Sequence, residues 1–395
     1  MRRTPLSKPP ALLVALAAIT VAGFAAADTR FPPRFAWETV APEEAGFDAG
    51  RLAEALAVAR ERAETEPADL HQVLLDTYTG REPGYRVLGP TKPRESDSGM
   101  ILSDGRIVAQ WGDIHRVDMT FSVVKSYLST LAALAVERGL IESLHDPVGE
   151  YVTDGKFSSE HNARITWHHL LQQTSDWSGT LWETPDWADR PVGDSLEEWR
   201  NRDLHEPGTH FKYNDVRVNL LAYALLQVFR EPLPVVLREA IMNPIGASNT
   251  WRWHGYENSW IELDGLRMQS VSGGGHFGGG LFISTADHAR YGLLFLERGV
   301  WDGRRLIPDA WFDQLREPTE ARPDYGYMWW LNTDQERIPA APESAYWAAG
   351  FGGNYIYVDD CNDLVVVLRW IPELESVIER ILSAKDSAAE CRRSG

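Results

Sequence analysis

Met119-Thr-Phe-Ser-Val-Val-Lys-Ser-Tyr-Leu-Ser-Thr-Leu131 decides how this chain is read. Ser122 and Lys125 stand three residues apart, and on a helix that spacing puts both side chains on one face. A serine hydroxyl is a weak nucleophile at neutral pH and needs a base within hydrogen-bond reach. Ser122 is the only serine in the chain followed by a lysine at i+3. Alone, Ser-x-x-Lys fits an ordinary exposed pair as well as a nucleophile and its base.

The flanks give the fold class. Met100–Trp111 places two apolar runs around Asp104-Gly105, the pair that favours a type I′ hairpin turn. The helix carrying Ser122 and Lys125 runs on to Gly139. Upstream, 47–63 has apolar residues at helical spacing, and 65–98 reads as a loop with one short strand at Val73–Leu75. From 144 to 275 the pattern is helical, clearest at 165–173 and 216–229. Later helices are predicted over 285–298, 308–315 and 374–382, and strands over 326–331, 346–349, 355–358 and 364–369. This order predicts an α+β domain over 28–395, an antiparallel sheet flanked by helices. Its α/β part spans about 28–143 and 276–395, with an inserted all-helical subdomain at about 144–275.

The chain has 395 residues and a net charge of −18, with 44% hydrophobic and 24% charged residues. That balance fits a globular protein and argues against nucleic acid or an anionic membrane surface as partner. Residues 1–27 read as a signal peptide: Arg2, Arg3 and Lys8, then apolar Ala11–Phe24, then Ala25-Ala26-Ala27. A periplasmic or secreted protein is expected, with no stable membrane insertion after cleavage; an uncleaved anchor is the competing reading. Cys361 and Cys391 are the only cysteines, so they can form one disulfide and no thiolate zinc site.

Three segments can complete an acyl-transfer site. Tyr213-Asn214-Asp215 sits where a loop enters a helix; in a plainer reading, Tyr213 packs in the core and Asp215 caps the helix. Trp347–Asn354 runs a strand into Gly350, Phe351 and Gly352, and glycines there let a ligand approach the backbone. His276 stands between Gly273–Gly275 and Gly278–Gly280, where a structural role is the simpler account. Trp177, Trp182 and Trp187 lie in a segment that can line an apolar pocket.

Together these residues resemble the β-lactamase-related serine hydrolases: class C β-lactamases, D-alanyl-D-alanine carboxypeptidases, esterases and 6-aminohexanoate-oligomer hydrolases. The resemblance runs from about Trp37 to Trp370. Phe121–Lys125 fits the family's first motif and Phe211–Asp215 its second, while Ile165–Ser175 and Gly278–Asp287 resemble its connecting segments. It implies a β-lactamase/transpeptidase-like fold and an acyl-enzyme on Ser122. Lys125 and Tyr213 would move protons, the N–H groups of Ser122 and Phe351 would form an oxyanion hole, and Asp215, Trp177, Gly350 and Gly352 would meet substrate. An ester or amide is the implied small-molecule substrate. No metal or organic cofactor is called for.

One motif departs from the family. Ala348-Ala349-Gly350 stands where class C β-lactamases have Lys-Thr-Gly. The strand therefore offers no side-chain donor to the carboxylate of a β-lactam or a D-alanyl-D-alanine peptide, and esters or simple amides are expected instead. Arg217 and Arg252 are candidate replacements for the missing group. A β-lactamase, a carboxypeptidase and a non-catalytic penicillin-binding-like receptor stay as alternatives. A Ser-His-Asp hydrolase lacks its Gly-x-Ser-x-Gly elbow, and His168-His169 lack the His-Glu-x-x-His spacing of a zinc hydrolase.

Overall fold

A computed structural model describes residues 30–386. The expected signal peptide and Cys391 lie outside the described residues. The chain's first and last parts build one six-stranded antiparallel sheet. Its order is Trp330–Leu331, Tyr346–Gly350, Asn354–Asp359, Leu364–Arg369, Ser98–Ser103, Arg106–Trp111. The closing pairing sets Ser98 opposite Arg369 and Ser103 opposite Leu364.

Both faces of this sheet are covered, so 364–368 reads as an unbroken apolar run rather than an alternation. Val365 and Val367 join the core beneath helix Thr285–Leu296. Leu364, Val366 and Leu368 point the other way, into the core under Ala49–Glu61 and Leu374–Ala384. The Asp104-Gly105 turn has positive φ at both residues, 52° and 69°, as a type I′ turn requires.

Helix Asp215–Phe229 packs against Val124–Glu137, and both are buried along most of their length. Asn214, not Asp215, caps the former: its side chain accepts from Arg217 N at 3.0 Å. Among the described residues no single helix is long and apolar enough to cross a membrane.

Two expectations are corrected. The insertion is not all-helical: Arg252–Leu263 and Leu266–Val271 form a hairpin within it. That hairpin joins Gly280–Ile283 and Asp118–Met119 in a four-stranded sheet. Its turn, Asp264-Gly265, has φ of 54° and 74°, the same signal as Asp104-Gly105. A register shift between Gly255 and Trp260 breaks the alternation that would have marked the strand. Second, Val73–Leu75 is not a strand but part of helix Leu70–Tyr78. Asp69 caps it by accepting from His71 N at 3.0 Å, and Leu70 and Leu74, one turn apart, are the buried pair.

A buried arginine ties the two sheets together behind Ser122. Arg369 donates to Asn354 Oδ1 at 2.6 Å, to Ile283 O at 2.9 Å and to Met119 O at 2.8 Å. It thereby fixes the strand that leads into the Ser122 turn.

Candidate active site

Phe121 has φ of +48°, an uncommon conformation for a bulky residue, and it opens the tight turn Phe121–Val123 that runs into helix Val124–Glu137. Strain of this kind collects where a side chain must be presented in one direction. Here it turns Ser122 toward the seam between the six-stranded sheet and the helical layer. Lys125 Nζ donates to Ser122 Oγ at 2.8 Å.

Behind this pair stands Asp215. Lys125 Nζ also donates to Asp215 Oδ1 at 2.8 Å, and the side chains are 2% and 0% exposed. Burial alone would raise the Asp215 pKa, but Lys125, Arg190 and His276 override it and hold the carboxyl well below its usual range. Its other oxygen accepts from His276 N at 3.1 Å. Gly274 makes room for the ion pair: a Cβ there would lie 1.9 Å from Asp215 Oδ2 and 2.6 Å from Lys125 Nζ.

Tyr213 meets Lys125 with its ring face, the ammonium lying 4.6 Å from the centroid. The ring stacks on Trp330 at 6.1 Å. Its hydroxyl makes no hydrogen bond to Ser122 or Lys125, nor to any other described residue. Gly350 comes closest to the Ser122 backbone. A Cβ on it would lie 2.3 Å from Thr120 O and 3.2 Å from Ser122 N, so only glycine lets this strand end abut the Ser122 turn. Phe351 follows at the rim, 37% exposed, its ring 5.2 Å from that of Phe121 and 6.3 Å from that of Tyr78.

The structure thus brings Ser122, Lys125, Tyr213, Gly350 and Phe351 together and moves the other candidates. Asp215 is buried and bonded to Lys125, so it is the lysine's counter-charge rather than a substrate contact. Trp177 is 1% exposed, with its indole N–H on Lys156 O at 2.9 Å, and belongs to the core. Trp182 packs edge-on against Tyr223 and Tyr256. Gly352, with φ of +77° and a Cβ position 2.8 Å from Trp370, serves the hairpin turn. Arg217 is buried against Asp176 and Asp186, and Arg252 binds the carbonyls of Asn249 and Trp251, so neither serves as an anion group here.

One neighbour escaped the sequence reading. Asp189, fully buried, accepts the backbone N–H of Asp215 and pairs with Arg190. His276 sits below Asp215, with Nε2 2.7 Å from Glu82 Oε2 and 3.6 Å from Asp189 Oδ1. Glu82, Asp189 and His276 lie close enough to form a metal ligand set. Their facing atoms are already matched, however: Glu82 with His276 and the Arg190 N–H, Asp189 with Arg190 and the Asp215 N–H.

Residues 100–369 match the family model described as Beta-lactamase. The chain belongs to the beta-lactamase family. Proteins under other names are similar to it in sequence or in fold. The 6-aminohexanoate-dimer hydrolase of Paenarthrobacter ureafaciens is 24% identical over 315 residues, covering 69% of this chain and 71% of the relative. A solved hydrolase with promiscuous acyltransferase activity aligns with a TM-score of 0.53 at 16% identity, covering 85% of this chain and 98% of its own. The beta-lactamase/D-alanine carboxypeptidase of Pseudomonas syringae aligns with a TM-score of 0.50 at 15% identity, covering 80% and 100%. These likenesses establish the beta-lactamase/transpeptidase-like fold expected from the order of elements.

Proposed function

We propose that this beta-lactamase-family protein is an exported serine hydrolase that cleaves an ester or amide through an acyl-enzyme on Ser122. The observation that carries the reading is the 2.8 Å contact between Lys125 Nζ and Ser122 Oγ, at the one Ser-x-x-Lys of the chain. As Ser122 Oγ attacks the carbonyl carbon, its proton goes to Lys125 in the neutral amine form, and a proton then passes from Lys125, with Tyr213, to the departing alkoxide or amine. Water then attacks the acyl carbon, gives up a proton to the same pair, and Ser122 leaves with it. The N–H groups of Ser122 and Phe351 are the proposed oxyanion donors, a role that the abutment of Gly350 on Ser122 N supports. Export rests on residues 1–27 alone.

The experiment is a panel of p-nitrophenyl esters, small amides, D-alanyl-D-alanine peptides and nitrocefin on the mature protein and on Ser122→Ala. Hydrolysis of esters or amides that Ser122→Ala abolishes is the expected result. Tight binding without product from any substrate would make the protein a receptor.

A further inference from the structure

Arg190 is a strongly basic group of the insertion that reaches the site. Its guanidinium lies 5.4 Å from the Tyr213 ring, on which Lys125 also rests, and its Nη1 is 3.8 Å from Asp215 Oδ1. The side chain is held from within: Nη1 pairs with Asp189, and the Arg190 backbone N–H donates to Glu82 Oε1 at 3.1 Å. Its φ is +50°, a conformation uncommon outside glycine.

The two sides of this arginine differ. Asp189 and Asp215 are 0% exposed, whereas Arg190 is 35% exposed. Only Nη1 has an acceptor; Nε and Nη2 have none among the described residues. A guanidinium with a satisfied inner edge and an open outer edge matches a planar carboxylate, which a guanidinium can grip with two parallel hydrogen bonds. The chain's net charge of −18 would repel anions at a distance, so any preference for one must come from a local contact of this kind.

We propose that Arg190 selects the substrate, by binding a carboxylate carried away from the reacting carbonyl of an ester or amide. The proposal rests on the hydrolase reading above. From Ser122 the guanidinium is reached across Lys125 and Asp215, on the side of the insertion and not on the strand ending at Gly350. The carboxylate proposed here is one on a spacer that reaches toward the insertion, unlike one adjacent to the scissile bond.

The test compares kcat/KM for p-nitrophenyl hydrogen adipate with that for its size-matched neutral methyl ester, at about 0.15 M salt. A second pair, 3-(butyryloxy)benzoate and its methyl ester, puts the carboxylate on the leaving group instead. The wild-type enzyme should favour the acid of one pair about tenfold, in the range of one charge-assisted hydrogen bond. Arg190→Gln should bring that ratio to about one, and Arg190→Lys should restore part of it. Equal rates within both wild-type pairs, or a ratio that Arg190→Gln leaves unchanged, would overturn the proposal. Should that variant not fold, competition on the wild type reads the same contact: adipate should inhibit neutral-ester hydrolysis where dimethyl adipate does not, and equal inhibition counts against Arg190. No turnover of any ester defeats the hydrolase reading itself, a result distinct from turnover without preference.

Discussion

The ammonium of Lys125 stands 2.8 Å from the carboxylate of Asp215, and neither side chain reaches water. A charge taken out of water needs a partner of opposite sign, so the pair holds the lysine beside Ser122 only while both members are present. Asp215→Asn should therefore lower stability by about 3–5 kcal/mol. It should also cut kcat by at least about a hundredfold, as loss of a positioned proton carrier does. The double variant Lys125→Met, Asp215→Leu should be more stable than the sum of the single changes. Urea titrations that show strict additivity would mean the two groups do not act as a pair.

Gly350→Ala tests the seam. Its Cβ would fall 2.3 Å from Thr120 O, a backbone atom that cannot rotate aside. The strand must then withdraw from the Ser122 turn, and displacement by about 1 Å at a reacting centre can cost about a hundredfold in rate. Wild-type kcat/KM in Gly350→Ala would remove this strand from the site.

Arg369 predicts a stability effect. Burial lowers its pKa to about 10, and its three hydrogen bonds span both sheets. Arg369→Met leaves two carbonyls and one amide oxygen buried without that donor, a loss of about 3 kcal/mol or more. A midpoint of unfolding within error of wild type would contradict this.

Acid should weaken the fold well before the carboxylates titrate. Burial lowers the pKa of His169 to about 4, with smaller contributions from His168 and His145. Burial likewise drives His288 well below its ordinary 6.5; its ring nitrogens lie 2.8 Å from Thr120 Oγ1 and 2.9 Å from Tyr127 Oη. These groups bind protons in the unfolded chain and not in the folded one. Stability is therefore fully present above pH 6.5 and falls as the pH drops toward about 4. Urea midpoints measured across that interval should decline steadily with acid; a flat profile would show that these rings are protonated in the folded state.

Much of this was legible because it is local. Asp104-Gly105, the apolar run at 364–368 and the i, i+3 spacing of Ser122 and Lys125 are each decided within a dozen residues. The Asp264-Gly265 turn carried an equal signal, but the irregular strand before it hid the alternation. What could not be read is what the fold brings from a distance. Asp215 follows Tyr213 in a family-like motif, yet only the packing of two helices shows that it pairs with Lys125 and not with substrate. Trp177 looked like a pocket wall because indole suits both a pocket and a core, and depth alone separates them. Arg190 lies in a loop of no periodicity, and its place beside Tyr213 depends on Asp189 and Glu82, far apart in the chain.

The account turns on Ser122 as nucleophile, and mapping the covalent adduct tests that most directly. Mature protein treated with a fluorophosphonate, digested and analysed by mass spectrometry should carry one adduct, on the peptide containing Ser122. Labelling and ester hydrolysis should both vanish in Ser122→Ala while the variant still unfolds cooperatively. An adduct on another residue, or turnover that survives in folded Ser122→Ala, would contradict the account.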